Sequence, residues 1–242
     1  MFSFLKSKPL LSELITDNYI DIHSHILSGI DDGAKTIEDS LSLMNKLQNI
    51  GFSQFIATPH IMGHVWENTP EIINAKLKET KETLLNDIPL KTGAEYMMDG
   101  EFLALVQSSP LLTLKENYVL VEMSYLNAPI QLYDILFDLQ VAGYKPVLAH
   151  PERYNFYHSN LAEYKKLKNA GCLFQLNLLS SVGYYGDGVT KTANYLLEKG
   201  LIDFVGSDVH HMNHVASFSK KIEVKEIQPL KEAIANNQYF KF

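Results

Sequence analysis

Short apolar runs alternate with stretches of helical periodicity along the whole chain. The apolar runs predict seven strands, because their length and residue types suit buried strands. They are Tyr19–Ile26, Phe52–His60, Leu90–Tyr96, Tyr118–Met123, Pro146–His150, Leu173–Leu178 and Ile202–His210. Strands that alternate with helices pair in parallel through right-handed crossovers. Since the spacing is even, we predict a distorted (β/α)7 TIM-like barrel.

The helical stretches lie between these strands, and two of them carry boundary signals. The first begins at Thr36, where Asp39 completes a weak capping box, and it ends at Gly51. The second has Thr69 as its cap and Pro70 at its first position. The other predicted helices are Gly100–Gln107, Ile130–Ala142, Leu161–Ala170 and Thr190–Lys199.

Length and composition fit one domain. The chain has 242 residues, of which 46% are apolar, and no linker or repeat divides it. We therefore expect an N-terminal extension over residues 1–18 and one domain over residues 19–242. The single cysteine, Cys172, excludes an internal disulfide and is expected in the core. With no secretion signal at the start, the sequence predicts a cytoplasmic protein.

The net charge and the hydropathy of the chain limit the classes of partner that it can bind. A formal net charge of -7 argues against nucleic acid, which is bound mainly through clustered Lys and Arg. No run of about 18 apolar residues predicts a transmembrane segment. The start, Met1–Leu11, is apolar with two lysines, so it either touches the inner face of a membrane or packs on the domain, and packing is favoured. A homo-oligomer is left open.

Ionisable residues gather at the ends of the predicted strands. In a β/α barrel the chemistry is assembled at the carboxyl ends of the strands. Eight candidates fall there: His23, His25, His60, Glu95, Glu122, His150, Asp208 and His210. Residues two apart on a strand face the same side, so the first two and the last two of these can each grip one ion.

The charge of these carboxylates requires compensation. The predicted strand ends carry no Lys or Arg, so salt bridges are not expected to balance Glu95, Glu122 and Asp208, and cations are. Imidazole and carboxylate ligands without thiolates suit Mn, Fe or Zn rather than Ca. A single histidine of this kind is more often a core residue, but the whole set is not. The remaining histidines, His64, His158, His211 and His214, are expected in solvent or behind the ligands.

The residues also form motifs that resemble the PHP (polymerase and histidinol phosphatase) superfamily. These are His23-Ser24-His25, Thr58-Pro59-His60, Glu95, Glu122, His150-Pro151-Glu152-Arg153 and Ser207-Asp208-Val209-His210. The segments Asp21–Leu27, Gly29–Ala34 and Ala149–Tyr154 are similar to bacterial capsule-type tyrosine phosphatases. A bare His-x-His would be weak, but these longer segments are specific.

The resemblance implies two to three divalent metal ions, with Mn favoured, in a trinuclear cluster. His23, His25, Glu95 and Asp208 would hold one ion, and Glu95 would bridge to a second ion that Glu122 and His150 also bind. Asp32, His60 and His210 would hold the third. Only the resemblance selects Asp32 over Asp31, since both lie in a loop.

Arg153 is the only arginine among 21 basic residues, and it lies three residues after His150. A guanidinium donates a bidentate fork to phosphate that lysine cannot copy, so Arg153 is the candidate catalytic phosphate ligand. The family has a second arginine after the last metal histidine, which this chain lacks. His214 or Lys220 is the expected substitute. Tyr184 and Tyr185 are candidates to line the mouth for a peptide.

The expected reaction is hydrolysis of phosphotyrosine by a metal-activated hydroxide in line with the phenolate. His60 or a metal-bound water is the candidate general acid. The resemblance implies a membrane-anchored bacterial tyrosine autokinase in exopolysaccharide or capsule biosynthesis as the substrate protein. Two alternatives stay open: a histidinol-phosphate or other small-molecule phosphatase, and an inactive module that only binds a partner. No Arg follows Cys172, which excludes a cysteine-based phosphatase, and the loop after Gly29 lacks the residues of a P-loop.

Overall fold

Parallel strands joined by helices form the framework of the computed structural model, which describes residues 7–84 and 88–242. The strands are β1 (Tyr19–Asp21), β2 (Phe52–Ala57), β3 (His60–Ile61), β4 (Leu90–Thr92), β5 (Glu95–Met97), β6 (Tyr118–Glu122), β7 (Lys145–Ala149), β8 (Leu173–Asn177) and β9 (Phe204–Gly206). The α-helices are α1 (Ile37–Gln48), α2 (Pro70–Thr83), α3 (Gly100–Ser108), α4 (Leu132–Val141), α5 (Ala162–Asn169), α6 (Asp187–Glu198), α7 (Met212–Ala216) and α8 (Ile227–Asn236).

The strands pair in two parallel sheets, as a mixed α/β domain requires. One sheet has the order β1-β2-β4, and the other has the order β3-β5-β6-β7-β8-β9. Beyond the ladders, an isolated parallel bridge joins Ser24, after β1, to Val209, after β9. The backbone N–H of Asp208 donates to His23 O at 2.8 Å, and that of His25 donates to Val209 O at 3.0 Å. The first and last strand regions therefore lie side by side.

Two predicted strands are wrong in being continuous. The one over residues 52–60 is split into β2 and β3 at Pro59, which has no N–H to donate to a ladder. The one over residues 90–96 is split into β4 and β5, where Gly93 N donates to Ala57 O at 2.9 Å and Glu95 N donates to Pro59 O at 3.1 Å. At both breaks the chain therefore passes from the sheet of β1, β2 and β4 to the sheet that contains β3 and β5.

Two more predicted strands are too long. The first is regular only to Asp21, and the last begins at Phe204 and ends at Gly206. In both, the residues that follow keep backbone hydrogen bonds to neighbouring segments but leave the regular pleat, and Asp208 after the last strand has a φ of 49°. The sequence pattern shows that these segments are apolar, but it does not show where their regular strand pairing ends. Helices α7 and α8 were not predicted.

The predicted helix starts of α1 and α2 are confirmed. Thr36 accepts from Asp39 N, and the Asp39 carboxylate accepts from Thr36 N, which completes the capping box. Thr69 accepts from Ile72 N, with Pro70 at the first turn. Of the described residues, none belongs to a helix long and apolar enough to cross a membrane.

The core has two parts. The larger cluster packs the helices on the strands and includes Cys172, which is buried as predicted. The smaller one gathers side chains from β1, β2, β6 and β7, and it is capped by Phe240 after α8. Next to that cap lies Asn237, fully buried, whose amide donates to Ile20 O at 2.9 Å and to Val205 O at 2.8 Å. The C-terminal turn thus ties β1 to β9.

The segment before β1 packs on the domain where it is described. Leu11, Leu14 and Ile15 are buried in the larger cluster. Leu11 N donates to Lys220 O at 2.9 Å, and Leu10 forms an isolated antiparallel bridge with Lys221. Residues 1–6, the part of the start for which membrane contact was the alternative to packing, lie outside the described residues.

Candidate metal centre

Eight of the nine predicted ligands form three overlapping groups whose donor atoms lie within 4.8 Å of one another. The groups are His23, His25, Glu95 and Asp208; His60, Glu95 and Glu122; and His25, Asp32, His60 and His210. The ninth, His150, places Nε2 3.0 Å from Glu95 Oε1 and 4.0 Å from Glu122 Oε2. The groups share members, so the arrangement is one cluster rather than three separate sites.

Strand register and two backbone irregularities bring these residues together. His60 in β3 pairs with Glu95 in β5, and Glu122 ends β6 beside Met97. His150 and Asp208 lie just past β7 and β9 with φ of 36° and 49°, in the left-handed region that residues other than glycine rarely adopt. Such conformations cost about 1 to 3 kcal/mol each and are found mainly at functional sites.

Hydrogen bonds from behind fix the tautomers of the first two histidines. His23 Nδ1 donates to Gln175 Oε1 at 2.7 Å, and His25 Nδ1 donates to Asp31 Oδ2 at 2.8 Å. Both Nε2 atoms are then turned toward the cluster, 3.2 Å apart. Sequence reasoning missed Asp31 and Gln175 as positioning residues.

Asp31 and its neighbour Asp32 divide two tasks. Asp31 is buried at 3% exposure, and it also accepts from the backbone N–H groups of Gly33 and His60. Asp32 is half-exposed, with Oδ1 3.5 Å from His60 Nε2 and 3.3 Å from His210 Nε2. Gly33 must be glycine, because a Cβ there would lie 2.1 Å from His25 O. The loop therefore aims one carboxylate behind the cluster and one into it.

His60 and His210 connect the groups. His60 Nδ1 lies 2.8 Å from Glu122 Oε1, while its other nitrogen faces Asp32. His210 Nδ1 donates to the carbonyl of Asp208 at 2.9 Å, which leaves its Nε2 for Asp32. His60 is thus placed to touch two of the groups at once.

The donor set fits divalent cations. Buried atoms without a hydrogen-bond partner include His60 Nδ1 and Glu122 Oε1, which face each other at short distance. Buried polar atoms are almost always paired, so two orphans in contact indicate a missing positive partner. Carboxylate and imidazole donors suit Mn, Fe or Zn.

The pKa values show how strongly this cluster attracts positive charge. Burial raises the pKa of Glu95 and Asp208, but the neighbouring imidazoles outweigh it and hold both pKa values well below the usual range. Burial lowers the pKa of His60, yet Glu95 and Glu122 overcome this and raise it to about 9. Glu95 and Asp208 are therefore ionised at neutral pH and are partly balanced by protonated imidazole.

The expectation that no basic residue balances these carboxylates is wrong. Arg153 Nη1 donates to Asp208 Oδ2 at 2.7 Å. The 3₁₀ turn Pro151–Arg153 after His150 carries the long side chain back over the cleft, which a count of residues at strand ends does not reveal. The same Asp208 oxygen accepts from Asn177 Nδ2 at 2.8 Å. Glu95 and Glu122 still have no Lys or Arg partner among the described ion pairs.

Arg153 lies between two aromatic rings. Its guanidinium carbon is 4.9 Å from the ring centre of Tyr125 and 4.2 Å from that of Tyr185. The Tyr185 hydroxyl accepts from Asn177 Nδ2 at 3.1 Å. These contacts hold the guanidinium plane at the edge of the metal cluster.

The other substrate candidates, Tyr184, His214 and Lys220, are not among the residues that line the cleft beside Arg153. Tyr184 packs edge-on against His214, and Lys220 Nζ lies 5.3 Å above the Tyr184 ring. His214 is buried, with Nδ1 3.2 Å from His210 N, so it supports a ligand segment. Of the remaining histidines, His64 and His211 are exposed, and the ring of His158 contacts the carbonyl of Glu152 at 2.8 Å.

The cleft above the cluster has a volume of about 410 Å3 and two contrasting surfaces. Its floor is charged: Asp32, His60, Glu95, Glu122, His150, Arg153, Asp208 and His210. Its wall is mainly apolar and aromatic: Met62, Val65, Trp66, Met97, Ser124, Tyr125 and Leu126. The arrangement suits a ligand with an anionic end and a flat apolar body.

Comparison with known proteins agrees with this geometry. The tyrosine-protein phosphatase YwqE of Bacillus subtilis is 34% identical over 197 residues, which are 80% of this chain and 78% of the relative. The tyrosine-protein phosphatase CpsB of Streptococcus agalactiae is 31% identical over 204 residues, covering 80% and 84%. A solved structure described as YwqE from Bacillus subtilis and CpsB from Streptococcus pneumoniae, unique metal-dependent tyrosine phosphatases, matches with a TM-score of 0.76. That match has 31% identity and covers 91% of this chain and 90% of the solved one.

A family profile also matches most of the chain. The profile described as capsular polysaccharide synthesis, CpsB/CapC, matches residues 19–225. This span contains all nine predicted ligands and Arg153. The chain therefore belongs to the CpsB/CapC family of capsular polysaccharide synthesis.

Proposed function

We propose that this chain is a metal-dependent protein-tyrosine phosphatase that removes phosphate from phosphotyrosine side chains. The observation that carries the proposal is the cleft of about 410 Å3, whose floor holds the metal-ligand cluster and Arg153 and whose wall is apolar and aromatic. The relatives that cover four fifths of the chain carry the same activity in their names.

The proposed ligand set is the nine residues of the cluster: His23, His25, Asp32, His60, Glu95, Glu122, His150, Asp208 and His210. We propose two or three Mn ions, with Fe or Zn as substitutes. When bound, such ions polarise phosphoryl oxygens and lower the pKa of a water nucleophile. The buried carboxylates and the fixed Nε2 atoms of His23 and His25 supply the preformed geometry.

Arg153 is the proposed phosphate ligand. Its Nη1 already contacts a cluster carboxylate at 2.7 Å, so its remaining N–H donors lie beside the place where phosphate oxygens meet the cluster floor. Tyr125 and Tyr185 keep the guanidinium from swinging into solvent. In this position Arg153 orients the phosphoryl group and stabilises charge on its equatorial oxygens.

The apolar wall selects an aryl phosphate. The cleft lining can enclose a phenyl ring once its phosphate reaches the floor, with contacts from Met62, Trp66, Tyr125 and Leu126. Phosphoserine would place only a short chain there and bury less apolar surface. A phenolate leaves at a pKa of about 10, so it needs less protonation than an alkoxide.

The candidate general acid His60 is not favoured by its geometry. Its Nδ1 faces Glu122 and its Nε2 faces Asp32. With both nitrogens turned to the cluster, neither is free to protonate a departing phenolate. We therefore assign His60 as a ligand and leave protonation to solvent in the cleft.

The same proposal includes the barrel and the cellular setting. The bridge between Ser24 and Val209, with the amide of Asn237 below it, supports closure of the strands into an irregular seven-stranded barrel. We propose a bacterial tyrosine autokinase at the inner face of the membrane as the substrate protein, because the family is one of capsular polysaccharide synthesis.

The decisive experiment is metal-reconstituted activity. The protein loaded with Mn is expected to hydrolyse free phosphotyrosine and phosphotyrosine peptides faster than histidinol phosphate and phosphoserine peptides. Arg153→Lys keeps the charge but loses the planar fork, and we expect kcat/KM on phosphotyrosine to fall by about 100-fold. Lys168→Ala, remote from the cleft, is the control.

Two results would contradict the proposal. Faster cleavage of histidinol phosphate would favour the small-molecule alternative. Full activity of Arg153→Lys would remove Arg153 from the phosphate site.

A further inference from the structure

A second cavity continues the cleft away from Arg153. It has a volume of about 390 Å3 and shares Met62, Trp66 and Met97 with the phosphate cleft. These three side chains therefore form a common wall, and a chain that enters the cleft can run past them into the second cavity. Its size lies within the range typical of ligand pockets.

The inner wall of the second cavity is apolar. Ile61 from β3 and Phe102 and Leu105 from α3 line it together with the shared methionines. Phe102 is buried and firmly packed, whereas methionine side chains adapt to different shapes. This part suits one large aliphatic or aromatic side chain.

The outer rim of the same cavity is acidic. Three carboxylates line it, from Glu67, Asp99 and Glu101, and none of its described lining residues is Lys or Arg. Asp99 is committed to its own backbone, since it caps α3 and accepts from Gly63 N at 3.3 Å. Among the described residues, no backbone N–H donates to the carboxylate of Glu67 or Glu101, so these two set the charge that a ligand meets.

His64 shows where these two carboxylates converge. Its Nε2 lies 3.0 Å from Glu101 Oε1, and its Nδ1 lies 4.0 Å from Glu67 Oε1. All three side chains are largely exposed, with 84% exposure for His64, so the histidine is easily displaced. Glu101 also lies so close over Gly63 that a Cβ there would be 2.3 Å from Oε2. The absence of a side chain at Gly63 thus leaves room for the Glu101 carboxylate in the lining of the second cavity.

We propose that the second cavity binds the peptide next to the phosphotyrosine, with a large apolar residue against Trp66 and Phe102 and a Lys or Arg between Glu67 and Glu101. This inference rests on the proposed tyrosine-phosphatase function and adds its sequence preference. The complementarity is of charge as well as shape, because the acidic rim attracts a basic flanking residue and repels an acidic one.

The test uses matched phosphotyrosine peptides that carry Leu and then Lys on one side of the phosphotyrosine, made in both chain directions. In the matched control peptides, Glu replaces the Lys. Each rate is divided by the same protein's rate on free phosphotyrosine, which reports the phosphatase function alone. With the wild-type protein we expect kcat/KM for the Lys peptide to exceed that for the Glu peptide by about threefold or more, in at least one direction.

The double variant Glu67→Gln/Glu101→Gln is expected to abolish this ratio. The control Glu82→Gln/Glu232→Gln makes the same charge change on exposed faces of α2 and α8 and should preserve it. Equal rates for Lys and Glu peptides in both directions with the wild-type protein would overturn the inference. So would a ratio that survives in the double variant.

Fluorescence separates this inference from the phosphatase proposal. Trp66 is the only tryptophan, so its emission reports the shared wall directly. Dephosphorylated Lys peptide should change the emission at a concentration about threefold lower than Glu peptide does, whether or not catalysis occurs. No hydrolysis of free phosphotyrosine would refute the function, while unchanged Trp66 emission with both peptides would refute the docking site.

Discussion

Glu152 is a fully buried carboxyl group next to Arg153 that lies outside the cleft. Its Oε1 accepts from Asn177 N at 2.9 Å and from Ser180 Oγ at 2.6 Å, while its Oε2 has no hydrogen-bond partner in the described part of the chain. Burial raises the pKa of Glu152 to about 7, against a smaller lowering by these donors. A raised pKa means that the folded protein binds the proton more tightly than the unfolded chain does.

Glu152→Gln should therefore reduce the loss of stability with rising pH. The wild-type protein loses this proton's contribution as pH rises from about 4.5 through about 7, and glutamine cannot ionise while its oxygen accepts the same two bonds. We expect the variant to gain about 1 to 3 kcal/mol relative to wild type between pH 5 and pH 8. Urea unfolding of both proteins without metal measures this. A difference that is constant with pH would contradict it.

Asp31 has a different task, which is to hold the His25 ring. Asp31→Asn should weaken metal binding by about 10- to 100-fold, because the amide accepts less strongly from His25 Nδ1 and the ring loses its fixed tautomer. Titration calorimetry with Mn measures the affinity. Asp134→Asn on the exposed face of α4 is the control, and equal affinity in both variants would count against a positioning role.

At the same scale, the sequence predicted the ligands better than their supports. Strand ends and charge selected eight of the ligand candidates, since local position decides which side chains enter the cleft. The difference between Asp31 and Asp32 depends on the turn at Gly33, where the approach of His25 O fixes the loop. The pairing of Arg153 with Asp208 spans 55 positions, and no local pattern contains it.

Among the elements, the short turn after α8 joins two strands that are far apart in sequence. The Asn237 amide donates to one carbonyl in β1 and one in β9, and its oxygen accepts from Val205 N at 3.2 Å. Replacing it with Ala leaves buried backbone groups without partners. We expect Asn237→Ala to lower the free energy of unfolding by about 2 to 4 kcal/mol. Chemical denaturation measures this.

Asn236→Ala provides the matched control for that change. Asn236 is exposed, and its amide makes one hydrogen bond, to Asp203 O. We expect a loss below about 1 kcal/mol. Equal losses in the two variants would show that the buried amide does not lock the strands.

The order of strands and helices was predictable, because the apolar periodicity of each segment is kept even where a strand is split in two. The ends of the elements were not, since Pro59 and Gly93 redirect hydrogen bonds between sheets without changing the apolar pattern. Helix α8 was missed because it follows the last strand, where no further strand required a connection. Its packing under β9 and the turn at Asn237 appear only in three dimensions.

For the whole molecule, metal binding should control stability. Without ions, the buried carboxylates depend on protons held by the imidazoles, such as the His60 proton. The His60 pKa is raised to about 9, so its contribution is complete below about 6.5 and is lost as pH rises through about 9. Metal binding displaces that proton and therefore strengthens as pH rises.

We expect Mn to raise the melting temperature, and the gap between loaded and metal-free protein to be wider at pH 8.5 than at pH 6. A metal concentration 100-fold above the dissociation constant adds about 3 kcal/mol. Thermal unfolding with Mn and with a chelator at both pH values measures the gap. A gap that narrows at the higher pH would contradict the exchange of protons for metal.

The contact between Arg153 and Asp208 has a consequence for how the protein responds to its two ligands together. One oxygen of Asp208 belongs to the guanidinium, and the other lies 3.3 Å from both His23 Nε2 and His25 Nε2. An anion bound to the remaining donors of Arg153 shares its positive charge and so leaves that carboxylate less neutralised, which favours a cation beside it. By thermodynamic reciprocity, phosphate and metal then raise each other's affinity by the same factor. The product phosphate should therefore lower the metal concentration needed to fill the cluster, and removal of the metal by a chelator should weaken the binding of phosphate.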